Sequence, residues 1–329
     1  MTRTKYEITL ASLLGFLLAV IAVVLAVACR GRERSAGAAE ATTARAGIVA
    51  AHRGPYVPPQ APSALGDSAK MAWTAEHYWD SFDFADTVQL ADMERMGPAV
   101  VGYLQLLASV PAQSAAGSIS GMLDKAMEGN YAAFERFTEW YEQTLYDPNS
   151  PLRNEELYIP VLEYTVSSPR VDSLMKLRPR SQLDMALRNR PGDVAADFAY
   201  TTPDGRAHRL SGLKARFTLL YFYNPDCPAC REIKDYICSS QHFGDWMEKG
   251  LRVLAVYPDE DLALWRERLS QMPEGWIVGC DKGHKLMDER LYDLKAIPTL
   301  YLLDGDKRVI LKDVTAGEVE GWLAGEAGR

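Results

Sequence analysis

A nearly unbroken apolar run, residues 217–223, ends in Asn224-Pro225-Asp226 and then Cys227-Pro228-Ala229-Cys230, and the residues that follow, Arg231-Glu232-Ile233-Lys234, read as a helix. A run without polar alternation is what a strand buried on both faces requires. Pro228 suits the first turn of the helix, where its missing N–H has no intrahelical partner. Far downstream, Ala296-Ile297-Pro298-Thr299 leads into a second strand-like run, residues 300–303. A strand, paired cysteines at a helix start, then Ile-Pro-Thr ahead of another strand leave few folds open. Together these parts make a dithiol–disulfide centre the expected chemistry.

The flanking pattern extends this reading. Residues 193–199 and 201–210 read as a β-hairpin with Pro203-Asp204-Gly205 in its turn. Residues 251–257 read as another buried strand, and Asp259-Glu260-Asp261 as the cap of a helix running to 269. A short helix is expected at 284–291, a hairpin from 299–303 to 308–312 across Asp304-Gly305-Asp306, and a closing helix at 316–324. That order has the parts of a thioredoxin fold with an added N-terminal hairpin and a mid-domain insert.

Residues 71–190 carry helical signals, with little alternation and with Pro and Gly at intervals. Tyr131, Phe134, Phe137, Trp140 and Tyr141 fall on one helix face, which reads as packing core rather than a ligand groove. Residues 35–70, rich in Ala, Gly, Pro and Ser, read as a flexible tether. Residues 8–28 are apolar and uncharged, long enough to span a bilayer as one helix. Ala26-Val27-Ala28 also fits a cleavage site before Cys29, so an uncleaved anchor, a lipoprotein with Cys29 lipidated and a cleaved signal all remain open. Each route puts the rest of the chain on the outer side of a cell membrane. The expected fold class is therefore α+β: a membrane or signal segment (1–34), a linker (35–70), an all-α helical domain (71–190) and a thioredoxin-fold α/β domain (191–329).

Composition narrows the function. A net charge of −8, with no long basic run, argues against a nucleic-acid partner. Five cysteines are too few for a disulfide framework, and five histidines form no ligand pattern, so no metal site is expected.

The stretch DFAYTTPDGRAHRLSGLKARFTLLYFYNPDCPAC resembles the opening of redoxin-type envelope thiol-disulfide oxidoreductases (the TlpA/ResA-like group), and IPTLYLLD resembles their cis-proline segment. YWDSFDF, LYDPNSPLRNEELYIPVLE and RPRSQLDMALRNRPGD resemble a helical domain of unknown function found ahead of such domains in gram-negative anaerobes. The resemblance implies a membrane-tethered enzyme without a cofactor, exchanging with protein thiols and disulfides of the envelope and recharged by an upstream electron-donating thiol protein. A reductase is the leading direction, with a disulfide isomerase or oxidase behind it. A peroxidase fits less well, because Leu220 and Asn224 stand where that pattern needs Pro and Thr or Ser. From another class, a binding module without redox turnover remains an alternative.

Cys227 is the expected nucleophile, since a helix N-terminus favours the thiolate, and Cys230 the resolving thiol. Pro298, cis in the family, and Ile297 are expected to meet an extended substrate segment. Many family members have Trp where Asp226 stands; a carboxylate there disfavours a neighbouring thiolate and makes a weaker oxidant, unless Asp226 relays protons or is a plain loop residue. Asp259 and Glu260 are further acid/base candidates, with helix capping the plainer role for both. Cys238 reads as a core thiol rather than a third redox participant, and Cys280 as a loop residue, free or paired with Cys238.

Overall fold

The structure, a computed structural model, describes residues 56–327. The segment 8–28, the lipidation candidate Cys29 and most of the tether lie outside the described residues. Among those described, no helix is long and apolar enough to cross a membrane. The chain divides into two compact units between Lys176 and Leu177.

Among the described residues, the regular structure of the first unit is helical and includes α1 (Asp67–His77), α2 (Thr87–Ala91), α3 (Met93–Leu107), α4 (Ala112–Gly129), α5 (Tyr131–Tyr141) and α6 (Glu155–Ser167). Asp86, Asp92, Asn130 and Asn154 start four of these helices, each side chain accepting from N–H groups of the first turn that have no intrahelical partner. On α5 the aromatic stripe packs inward through Phe134, Phe137, Trp140 and Tyr141, leaving Tyr131 at the rim. Trp79 meets Phe137 edge to face at 5.1 Å, the preferred geometry for such rings. Gly129 is required by a close approach, because a Cβ there would lie 2.6 Å from Phe84 Cβ. Tyr56, within the stretch read as tether, is buried and donates its hydroxyl to Tyr78 O at 2.5 Å.

The second unit opens with α7 (Leu177–Ala186) and the hairpin β1 (Ala199–Thr201) to β2 (Ala207–Arg209), with Pro203-Asp204-Gly205 in the turn. There follow β3 (Phe217–Phe222), α8 (Pro228–Ser239), α9 (Gln241–Glu248), β4 (Leu251–Tyr257), α10 (Leu262–Arg268) and β5 (Ile277–Cys280). The unit closes with α11 (Lys285–Asp288), β6 (Thr299–Leu303), β7 (Val309–Lys312) and α12 (Ala316–Glu326). The strands form one sheet in the order β2-β1-β5-β4-β3-β6-β7. β3 runs parallel to β4 and antiparallel to β6, with Phe217 opposite Leu251 and Phe222 opposite Thr299. All six residues of β3 are buried. Alternation sends Leu219 and Tyr221 to the face that holds Cys230, Phe243 and Trp246, and Leu220 and Phe222 to the face packed on Phe198 and Tyr292.

The structure corrects three readings. β5 and α9 are regular elements that the sequence reading left out. Cys280 ends β5 and is buried, rather than lying in a loop. Cys238 is exposed and Ile237 takes the inward place on α8, so Cys238 is not a core thiol. Helix α7, read with the helical domain, packs within the second compact unit: Lys312 Nζ donates to the carbonyls of Ala186 (2.8 Å) and Arg188 (2.7 Å), satisfying groups a helix C-terminus leaves open.

Candidate functional site

β3 delivers the chain to Asn224, which builds the turn that carries the cysteines. The Asn224 carbonyl accepts from Cys227 N (3.1 Å), and its side-chain oxygen accepts from Asp226 N (2.9 Å). Asn224 Nδ2 in turn donates to Asp259 Oδ2 at 2.7 Å, anchoring the turn to the loop after β4. Cys227 is the N-cap of α8, with Pro228 at its first turn, and Cys227 Sγ accepts from Cys230 N at 3.2 Å. A sulfur so placed faces free backbone donors and the positive end of the helix, both of which stabilise a thiolate.

Cys227 and Cys230 are free thiols in different surroundings, one half-buried and the other buried. Burial pushes the Cys230 thiol up to about 12; its hydrogen bond with Cys227 adds to this, and the backbone of Asn224 opposes it. Beneath it, Tyr221 donates to the Cys230 carbonyl at 2.7 Å and stacks on Tyr223, with ring centroids 5.5 Å apart. Trp265 Nε1 donates to the Tyr223 hydroxyl at 3.1 Å. Burial raises both tyrosine hydroxyls well above their ordinary value, so near neutrality both keep their protons.

The Ile297–Pro298 peptide is cis, and the structure brings this segment to Cys227, whose thiol donates to Ile297 O at 3.5 Å. Cys227, Cys230, Ile297 and Pro298 therefore come together as expected. Asp226 is exposed and forms an ion pair with Arg268, Oδ1 to Nε 3.5 Å, so a guanidinium offsets the charge expected to weigh on the thiolate. Asp259 does not cap α10. That cap is Asp261, which accepts from Ala263 N and Leu264 N, while Asp259 holds Asn224. Glu260 is exposed, and among the described residues no hydrogen bond or ion pair ties its carboxylate to the dithiol. A small cleft beside Cys230 is lined by Asn224, Arg231, Lys234, Arg268 and Met272. Asn224, Tyr221 and Arg268 were missed in the sequence; only Asn224 had a local signal, in its Asn-Pro-Asp turn.

Comparison with known proteins places both parts of the chain among described families. Residues 29–189 match the domain of unknown function DUF5106, and residues 191–312 match the AhpC/TSA family. The chain is 27% identical over 135 residues to the thiol-disulfide oxidoreductase ResA of Bacillus cereus (strain ZK / E33L), covering 40% of this chain and 76% of that protein. The ResA of Geobacillus kaustophilus (strain HTA426) is 23% identical over 132 residues, covering 39% of this chain and 74% of that one. Among solved structures, a thioredoxin-like protein from Bacteroides caccae ATCC 43185 is 39% identical with a TM-score of 0.78, over 82% of this chain and 98% of that one.

Proposed function

The chain belongs to the thioredoxin-like proteins, and on that footing we propose that it is a thiol-disulfide oxidoreductase whose Cys227–Cys230 dithiol reduces disulfides in other proteins. The asymmetry of the pair carries the reading: a half-exposed sulfur at a helix N-terminus backed by a buried one. The Cys227 thiolate attacks one sulfur of a substrate disulfide. The S–S bond breaks, its electron pair leaves on the other substrate sulfur, and that sulfur takes a proton. Cys230 then gives up its proton and attacks Cys227 Sγ. This frees the second substrate thiol and leaves a Cys227–Cys230 disulfide, so the dithiol's two electrons have reduced the substrate. A donor dithiol protein returns them for the next turnover, and no cofactor enters.

The leaving group supports this direction. Running as an oxidase, the Cys227–Cys230 disulfide would expel Cys230, and a thiol raised to about 12 leaves slowly. The apolar segment 8–28 supports an envelope address, tethered by that segment or through lipid on Cys29. Ile297 and Pro298 form the rim that meets the substrate backbone, and Asp226 and Asp259 set the turn through Arg268 and Asn224.

The test is the reduction potential of the pair in defined glutathione buffers, with Cys227→Ser as the inactive control. A value near that of thioredoxin, about −270 mV or lower, is expected. A value of about −120 to −180 mV would make it an oxidase or isomerase. Failure to cycle, with partner binding intact, would make it a binding module.

A further inference from the structure

Two residues ahead of Ile297, Lys295 is held between carboxylates. Its ammonium lies 2.8 Å from Asp293 Oδ2 and 3.3 Å from Asp313 Oδ2. The three side chains are largely shielded, 7% exposed at Asp293, 13% at Asp313 and 15% at Lys295, and salt screens such pairs far less than surface ones. Asp313 lies on a different stretch, directly after β7, with its backbone in the left-handed region at φ 49°. Beside it, Val314 N donates to Leu300 O at 3.3 Å. Lys295 therefore ties the segment entering β6 to the connection between β7 and α12. At the other end of that segment, Thr299 Oγ1 donates to Ala296 O at 2.5 Å. Between these two ties sits Ile297, whose carbonyl accepts the Cys227 thiol. That hydrogen bond exists only while Cys227 carries its proton, because a disulfide sulfur has none to donate. Whatever holds Ile297 in place thus favours the dithiol over the disulfide.

We propose that Lys295 is a positioning residue for the redox pair: by bridging Asp293 and Asp313 it keeps the Ile297 carbonyl against Cys227, and so sets how reducing the pair is. The inference rests on the redox reading above.

Asp313→Asn cuts the tie to the β7–α12 connection while leaving Lys295 paired with Asp293. In the full-length protein at equilibrium with glutathione, this variant should shift about tenfold toward the disulfide, about 30 mV lower in potential. Lys295→Arg, which keeps both ion pairs, should retain the wild-type value. A residue that merely stabilises the fold acts on dithiol and disulfide forms alike and leaves the potential where it was. A wild-type potential in folded Asp313→Asn therefore overturns the proposal. Should that variant not fold, Asp313→Ser also removes the carboxylate and should shift the potential in the same direction; no shift there overturns it equally. A wild-type chain that forms no Cys227–Cys230 disulfide in any buffer overturns the redox reading, and this inference with it.

Discussion

With its thiol raised to about 12, Cys230 is almost wholly protonated near neutrality, and only the thiolate attacks. Among the residues lining the cleft beside it there is no carboxylate to take the proton. The resolving step should therefore quicken about tenfold per pH unit between about pH 7 and 10, in step with the thiolate fraction. Rapid quenching of a preformed Cys227 mixed disulfide measures this; a flat profile would show that some other group accepts the proton. The same shift bears on stability. A group raised in the folded state stabilises fully below its unfolded value, here 9.0, and that contribution fades as pH rises toward 12. The placement of Cys227 and Cys230 at a helix start was legible in the sequence because spacing and helix position are local properties. The roles of Asn224 and Asp259 were not, because the bond joining them spans 35 positions.

Among the elements, α7 shows how far a local reading reaches. Its sequence marks a helix and resembles the helical domain, yet the Lys312 ammonium ties its C-terminus to the second unit from more than 120 positions away. Lys312→Met should destabilise the second unit by about 1–3 kcal/mol, the worth of charge-assisted bonds at a helix C-terminus. Urea unfolding of a fragment starting at 177 would measure it, and a loss under about 0.5 kcal/mol would mean the carbonyls find water instead. β5 escaped the sequence reading for a related reason. It has four residues, half of them only partly buried, and parallel pairing with β4 makes it a strand. Gly279 in that strand belongs to the same packing, since a Cβ there would lie 2.7 Å from the Tyr200 ring.

At the scale of the whole molecule, two units each bury a core of their own, and Cys227, Cys230 and the Ile297–Pro298 segment all lie in the second. A fragment of residues 177–329 should keep the reduction potential of the full chain to within about 10 mV, a factor of about two in the exchange constant. A shift beyond about 30 mV would mean that the helical unit acts on the dithiol itself. If that unit selects substrates, its removal should instead change which proteins a Cys230→Ala trap captures as mixed disulfides. What the sequence determined by itself was whatever short-range chemistry encodes: the cysteine spacing at a helix start, the buried strand ahead of it, the Ile-Pro-Thr entry to β6, and the helical stripe of the first unit. What only the tertiary structure decided was which distant groups meet there. The Ile297 carbonyl on Cys227, Asp259 on Asn224, Arg268 on Asp226, and Asp293 and Asp313 on Lys295 are chosen by how the strands stack side by side. That ordering comes from burial of both faces of β3 and β4 over the whole sheet, a collective free energy that no local stretch of sequence carries.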